Sequence, residues 1–83
     1  MEAISFVLIS TEPMKEHRVY VELNKIKEIL EISPLFDEYD FIVKIKPESF
    51  ESLGEIVVSK IRTIDGVADT KTLSGIKINH YNK

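Results

Sequence analysis

Asp37, Glu38, Tyr39 and Asp40 place three carboxylates and a phenol within four consecutive positions. A carboxylate can hold an ammonium group, and a phenol can donate or accept a hydrogen bond beside it. The six residues that follow, Phe41-Ile42-Val43-Lys44-Ile45-Lys46, are mostly aromatic or β-branched and read as a strand. The acidic run is therefore the tip of a hairpin whose second strand enters the core. Polar groups at such a tip are held by the sheet and still reach a ligand. A solvated turn whose charges only discourage aggregation would have the same composition. The three acids could also meet a hard cation between subunits, although they lack calcium-loop spacing.

The elements that must carry this tip follow from the patterning. Residues 3–10 are nearly all apolar, which predicts a strand buried on both faces and so a central one. Thr11-Glu12-Pro13 ends it and opens a helix, with Val19, Tyr20, Leu23 and Ile26 at helical spacing. Over 29–36 the chain returns to strand, and Pro34 confines that strand to an edge or a bulge. Ser49 is a candidate N-cap for a second helix, whose apolar stripe is Phe50, Leu53, Ile56, Val57, Ile61 and Ile64. Gly54 falls mid-helix, and Asp65-Gly66 ends the element. A last strand runs from Val67 toward Ile78, broken or ended near Gly75, and residues 79–83 form a tail.

The order β-α-β-β-α-β with right-handed crossovers gives an α+β, ferredoxin-like fold: one four-stranded antiparallel sheet with both helices on one face. The first and third strands are central. The helix-free face carries half of each strand's side chains and needs a partner. Phe6, Leu8, Phe41, Val43 and Ile45 include candidates for it, with the parity of the alternation left open.

Composition sets bounds on function. The 83 residues make one domain, expected over residues 1–78, and 43% of them are hydrophobic. A chain of this size buries only about 60% of its unfolded surface, so association with a second copy is expected. Net charge is −3 with no basic block, which argues against autonomous binding to DNA. The absence of cysteine excludes disulfides, thiolate catalysis and thiolate metal sites, and no cofactor is expected. The N-terminal apolar run is too short for a signal peptide or a membrane span, so a cytoplasmic protein is expected.

Four segments in order carry a family resemblance: Thr11-Glu12-Pro13 with Lys15-Glu16; Glu38-Tyr39-Asp40 running into Phe41-Ile42-Val43-Lys44; Ile61-Arg62-Thr63-Ile64-Asp65-Gly66-Val67; and Thr70-Lys71-Thr72-Leu73. Over roughly residues 3–78 the chain resembles the effector-binding (RAM) domain of the leucine-responsive/asparagine-regulator (Lrp/AsnC) transcription factors. The resemblance implies a dimeric α/β barrel formed through the open sheet faces, with dimers assembled into an octameric or decameric ring. It also implies an amino-acid effector between dimers. Tyr39 and Asp40 match that family's Gly-x-Tyr-Asp motif, and Thr70 and Thr72 match its polar last-strand positions. The implied ligand-binding set is therefore Asp37, Glu38, Tyr39, Asp40, Thr70 and Thr72, with no catalytic or metal-binding residue.

Two departures stand out. The family usually has glycine where this chain has Asp37, and often glycine where it has Met14. Asp37 brings a negative charge to the place where a ligand would approach bare backbone. Like charges about 4 Å apart repel by roughly 1 kcal/mol in water and about 4 kcal/mol at an effective dielectric of 20. The family's DNA-binding helix-turn-helix has no counterpart in these 83 residues, which resemble a stand-alone effector domain. Regulation would then run through co-assembly with a full-length relative, or through sequestering effector. A dimeric α/β-barrel enzyme shares the fold but needs a general acid or base, and neither His17 nor His80 looks placed for one. An ACT-like amino-acid sensor shares the strand order but would have a glycine-rich turn where Thr11-Glu12-Pro13-Met14 stands.

Overall fold

The computed structural model describes residues 4–73. The strands are β1 (Ser5–Thr11), β2 (Ile29–Pro34), β3 (Phe41–Ile45) and β4 (Val67–Leu73), in the spatial order β2-β3-β1-β4. Every pairing is antiparallel. With α1 (Glu16–Leu23) and α2 (Phe50–Glu55) on one face, this is the expected ferredoxin-like βαββαβ arrangement, its first and third strands central. Gly75, Ile78 and the tail at 79–83 lie outside the described residues.

The parity left open by the sequence is resolved by burial. Val7 and Ile9 of β1, with Phe41, Val43 and Ile45 of β3, point under the helices and pack against Val19, Leu23, Leu53, Ile56, Val57 and Ile61. Phe41, Val43 and Ile45 therefore do not belong to the helix-free face. Phe6 and Leu8 do, and Ile42, Lys44, Lys71 and Leu73 join them through the register. Phe6 lies between Lys44 and Leu73, and Leu8 between Ile42 and Lys71. An apolar diagonal, Ile42-Leu8-Phe6-Leu73, thus crosses the sheet with lysines at its flanks. Edge strand β2 adds Glu31 opposite Lys44, with 3.9 Å between their charged groups. Pro34, which has no N–H, and an irregular register between Ile29 and Glu31 disrupt this edge for further strand pairing.

The first helix begins later than Pro13 suggested. Residues 12–15 form a turn in which Met14 takes φ 70°, and the helix starts only at Glu16. A non-glycine side chain in that region costs about 1–2 kcal/mol, which accounts for a preference for glycine at such a position. Tyr20, read as core, is 43% exposed and lies over Phe41, the ring centroids 6.0 Å apart. Ile26 falls in the turn after the helix and is half-buried. Ser49 caps α2 as expected. Its hydroxyl accepts from the Ser52 N–H, and the Ser52 hydroxyl accepts from the Ser49 N–H. Phe50, assigned to the apolar stripe, is instead 73% exposed in the first turn.

After Glu55 the helix widens into a π-helical stretch, Ile56–Ile61, closed by the Arg62 N–H to the Val57 carbonyl at 2.8 Å. The reason lies in the side chains. In α geometry Lys60, four residues after Ile56, would share the core-facing side with it, while Ile61 would be about 140° away. A turn closed from i to i+5 brings Ile56 and Ile61 to one face, where both are buried, and turns Lys60 outward. Lys60 Nζ then reaches Glu28 Oε2 at 2.7 Å. That hydrogen bond, followed by one from Glu28's own backbone amide, holds the Glu28 carboxyl below its ordinary value of 4.5. Because the folded-state value is depressed, the pair contributes stability above the unfolded value and loses it as pH falls through the folded one. Lys60→Met is therefore expected to raise the Glu28 titration midpoint, followed by carboxyl NMR, and to weaken the dependence of stability on pH below about 4.5.

Candidate functional site: the acidic hairpin tip and the open sheet face

The tip joining β2 to β3 is anchored at both ends. The Leu35 N–H donates to the Asp40 carbonyl, and the Asp40 N–H donates to the Ile9 carbonyl, each at 2.8 Å. Between them Phe36 is fully exposed, Asp37 and Glu38 are exposed, and Tyr39 is half-buried. The Asp40 side chain is already engaged. Its Oδ2 accepts from the Thr11 N–H at 2.7 Å and from the Thr11 hydroxyl at 2.9 Å.

The need for this contact is local. β3 begins at Phe41, opposite Ile9, so Thr11 has passed the last paired residue of β3. On its other side the register with β4 shifts between Ser10 and Thr11. The carboxylate takes the place of the missing strand partner for the Thr11 amide, and a buried or half-buried N–H left unpaired is costly. The next amide, Glu12 N–H, donates to the Gly66 carbonyl at 2.8 Å. Consecutive residues at the end of β1 therefore tie the hairpin tip on one side and the turn before β4 on the other. Asp65, in that turn, meets Lys15 at 3.2 Å and Arg18 at 3.1 Å through Oδ2, and Lys15 also reaches its Oδ1 at 3.3 Å. These pairs are more than a third exposed, so each contributes at most about 1 kcal/mol.

The six sequence-assigned residues do not form one pocket within a subunit. Asp37, Glu38, Tyr39 and Asp40 share the tip. Thr70 pairs with Ile9 and Thr72 with Val7, across β1 from β3. Asp40 and Thr70 thus flank Ile9 from opposite sides, roughly 10 Å apart at two strand spacings. Thr70 is half-buried and its N–H is taken by Asp69 Oδ1 at 2.9 Å; Thr72 is exposed. Both threonines lie on the helix-covered side at the β4 edge. Sequence reasoning did not assign a role to Thr11 or Phe36. A hydroxyl residue ending one strand beside an aspartate that opens its neighbour is the signal that could have found Thr11.

A cavity of about 470 Å³ lies at the other end of the sheet, lined by Lys27, Glu28, Lys46, Ser52, Ser59 and Lys60 among others. Its walls mix both signs of charge. Among the described residues no group of three histidine, aspartate or glutamate side chains is arranged to hold a metal ion. His17 is exposed on α1, and His80 lies outside the described residues. No helix among the described residues is long and apolar enough to cross a membrane.

Residues 4–78 match the Lrp/AsnC ligand binding domain. The chain belongs to the Lrp/AsnC family. Among curated relatives it is 31% identical over 72 residues to an uncharacterised HTH-type transcriptional regulator of Pyrococcus abyssi, covering 83% of this chain and 48% of that one. It is 30% identical over 76 residues to the HTH-type transcriptional regulator FL11 of Pyrococcus furiosus, covering 92% and 50%. This Lrp/AsnC chain therefore spans about half the length of the curated relatives it matches. Among solved structures it superposes on FFRP-DM1 with a TM-score of 0.83 at 30% identity, over 92% of this chain and 100% of that one. The names of the Lrp/AsnC relatives are those of transcriptional regulators, which points away from an enzyme.

Proposed function

We propose that the chain is an amino-acid effector-binding and oligomerisation module of the Lrp/AsnC family, acting in the cytoplasm. In this reading the helix-free faces of two copies close a dimeric α/β barrel, and dimers join into a ring of eight or ten subunits. The effector sits between dimers against the acidic tip, with Tyr39 and the Asp37 and Glu38 carboxylates on one side and Thr70 and Thr72 nearby from a neighbouring subunit. Regulation then runs through co-assembly with full-length relatives. The observation that carries the reading is the tip itself: two exposed carboxylates on a loop whose backbone is anchored at both ends, in a chain of a ligand-binding family.

Asp37 provides the test. Asp37→Gly removes one carboxylate and lets a ligand approach the backbone. With a neutral amino acid such as L-leucine, calorimetry should register tighter binding to Asp37→Gly than to the wild type. With L-lysine the same substitution should weaken binding, if Asp37 serves as the counter-ion of a basic ligand. If neither protein binds either compound, the effector reading fails and assembly alone remains. A further expectation follows from the net charge of −3: the 83-residue chain binds DNA weakly and without sequence preference. A sequence-selective mobility shift that survives raised salt would contradict it.

A further inference from the structure

We infer that Asp40 is a positioning residue, one that fixes the hairpin tip through Thr11 and does not itself hold the effector's ammonium group. Two strong, charge-assisted hydrogen bonds converge on its Oδ2, at 2.7 and 2.9 Å, and both come from Thr11. Its backbone is committed as well, with the N–H on Ile9 and the carbonyl accepting from Leu35. Asp40 thus joins three elements: the end of β1, the start of β3 and the last residues before the tip. An ammonium group competing for Oδ2 would have to displace a main-chain amide that has no strand partner to return to. The tip's exposed acids, Asp37 and Glu38, carry no such commitment among the described contacts. With neither carboxylate engaged, they are the groups best placed to meet a cation, while Asp40 has one oxygen already taken.

The contact also sets where those acids stand. Phe36 to Tyr39 make no ladder hydrogen bond, so the tip's position depends on its two ends. One end is the Leu35–Asp40 pair, and Asp40 is in turn located by Thr11. Thr11 is followed by Glu12, whose N–H binds Gly66 in the turn leading to β4. The tip and the strand bearing Thr70 and Thr72 are thereby referenced to one dipeptide, Thr11-Glu12. This inference rests on the effector reading only for its consequence on binding; the latch itself stands on the hydrogen bonds.

Amide hydrogen exchange and calorimetry on the 83-residue protein separate the two. In Asp40→Ala the amides of Leu35 and residue 40 should exchange about a hundredfold faster, while those of Val7 and Val43 in the core keep their rates. Thr11→Val, which deletes the hydroxyl and keeps the amide, should speed the same tip amides about tenfold, the factor expected for one hydrogen bond to a charged acceptor. Thr11→Ser, which keeps the hydroxyl, should restore them. Unchanged tip exchange in Asp40→Ala overturns the inference. Where the wild type binds L-leucine or L-lysine, Thr11→Val should weaken that ligand and Thr11→Ser should not. Binding that is lost in Asp40→Ala yet unaltered in Thr11→Val means direct contact, and also overturns it. If the wild type binds neither, the effector reading fails and exchange alone decides the latch.

Discussion

Gly66→Ala is expected to destabilise the domain by about 3 kcal/mol, whereas Gly54→Ala is expected to stabilise it by about 1 kcal/mol. The sequence already sets a mid-helix Gly54 apart from Gly66 at the end of the element, and the surroundings of each decide the sign of the effect. Gly66 has φ 109°, a conformation that side chains of L-residues rarely adopt. A Cβ there would meet Lys15 Cβ at 2.9 Å and Val19 Cγ2 at 3.0 Å. Val19 is fully buried and stiff about χ1, so it has little room to yield. The strained backbone costs roughly 1–3 kcal/mol and the overpacking about as much again, less whatever the turn relaxes. Relaxing the turn moves Gly66's carbonyl, which accepts the Glu12 amide at 2.8 Å. At Gly54 nothing lies within 4 Å of the added carbon, and only the gain in helix propensity remains. For a domain of this size 1 kcal/mol moves the melting temperature by about 4–8 °C. Calorimetric melting at one fixed protein concentration should thus place Gly66→Ala more than 10 °C below the wild type and Gly54→Ala a few degrees above it. A Gly66→Ala protein that melts within 3 °C of the wild type would contradict the steric account.

The same residues explain why parts of the fold were legible in the sequence and parts were not. Strand order followed from the βαββαβ connectivity with right-handed crossovers, and the continuous apolar run of β1 and Pro34 in β2 agreed with it. The Ser49 cap was legible because capping is a contact between residues three apart. Parity was not. Phe6-Val7-Leu8-Ile9 is apolar at every position, so no polar residue in β1 marks the outer face. The π-helical stretch was hidden for a related reason. Leu53, Val57, Ile61 and Ile64 fit α periodicity nearly as well, and the misfit is confined to Lys60, which α winding would press toward the core. The late start of α1 was masked by Pro13, a residue as much at home in a turn as in a first helical turn. At the site, the tip's acids were visible as a composition, but the commitment of Asp40 to Thr11 spans 29 positions and exists only once β1 and β3 lie side by side.

Leu8→Asp is expected to abolish association between copies while leaving the subunit folded. Leu8 sits at the centre of the helix-free face, on central strand β1, between Ile42 and Lys71, with Phe6 one step along the same face. In a single subunit it is half-buried by its neighbours alone and touches no part of the helix-covered core. A carboxylate there remains hydrated in the monomer, with Lys71 across the strand as a favourable neighbour. In a face-to-face dimer with two-fold symmetry the same carboxylate is desolvated in both copies. One unpaired buried charge costs about 3–5 kcal/mol, so two place the dissociation constant at least about 10⁴-fold higher. Sedimentation at micromolar concentration should therefore give a dimer or larger assembly for the wild type and a monomer for Leu8→Asp, with the far-ultraviolet circular dichroism of a folded domain retained in both. Val7→Asp provides the contrast, since Val7 is fully buried against the helices and its substitution should unfold the subunit itself. Association undiminished in Leu8→Asp would mean that copies meet through some other surface. The apolar diagonal of the open sheet would then need a different partner to cover it.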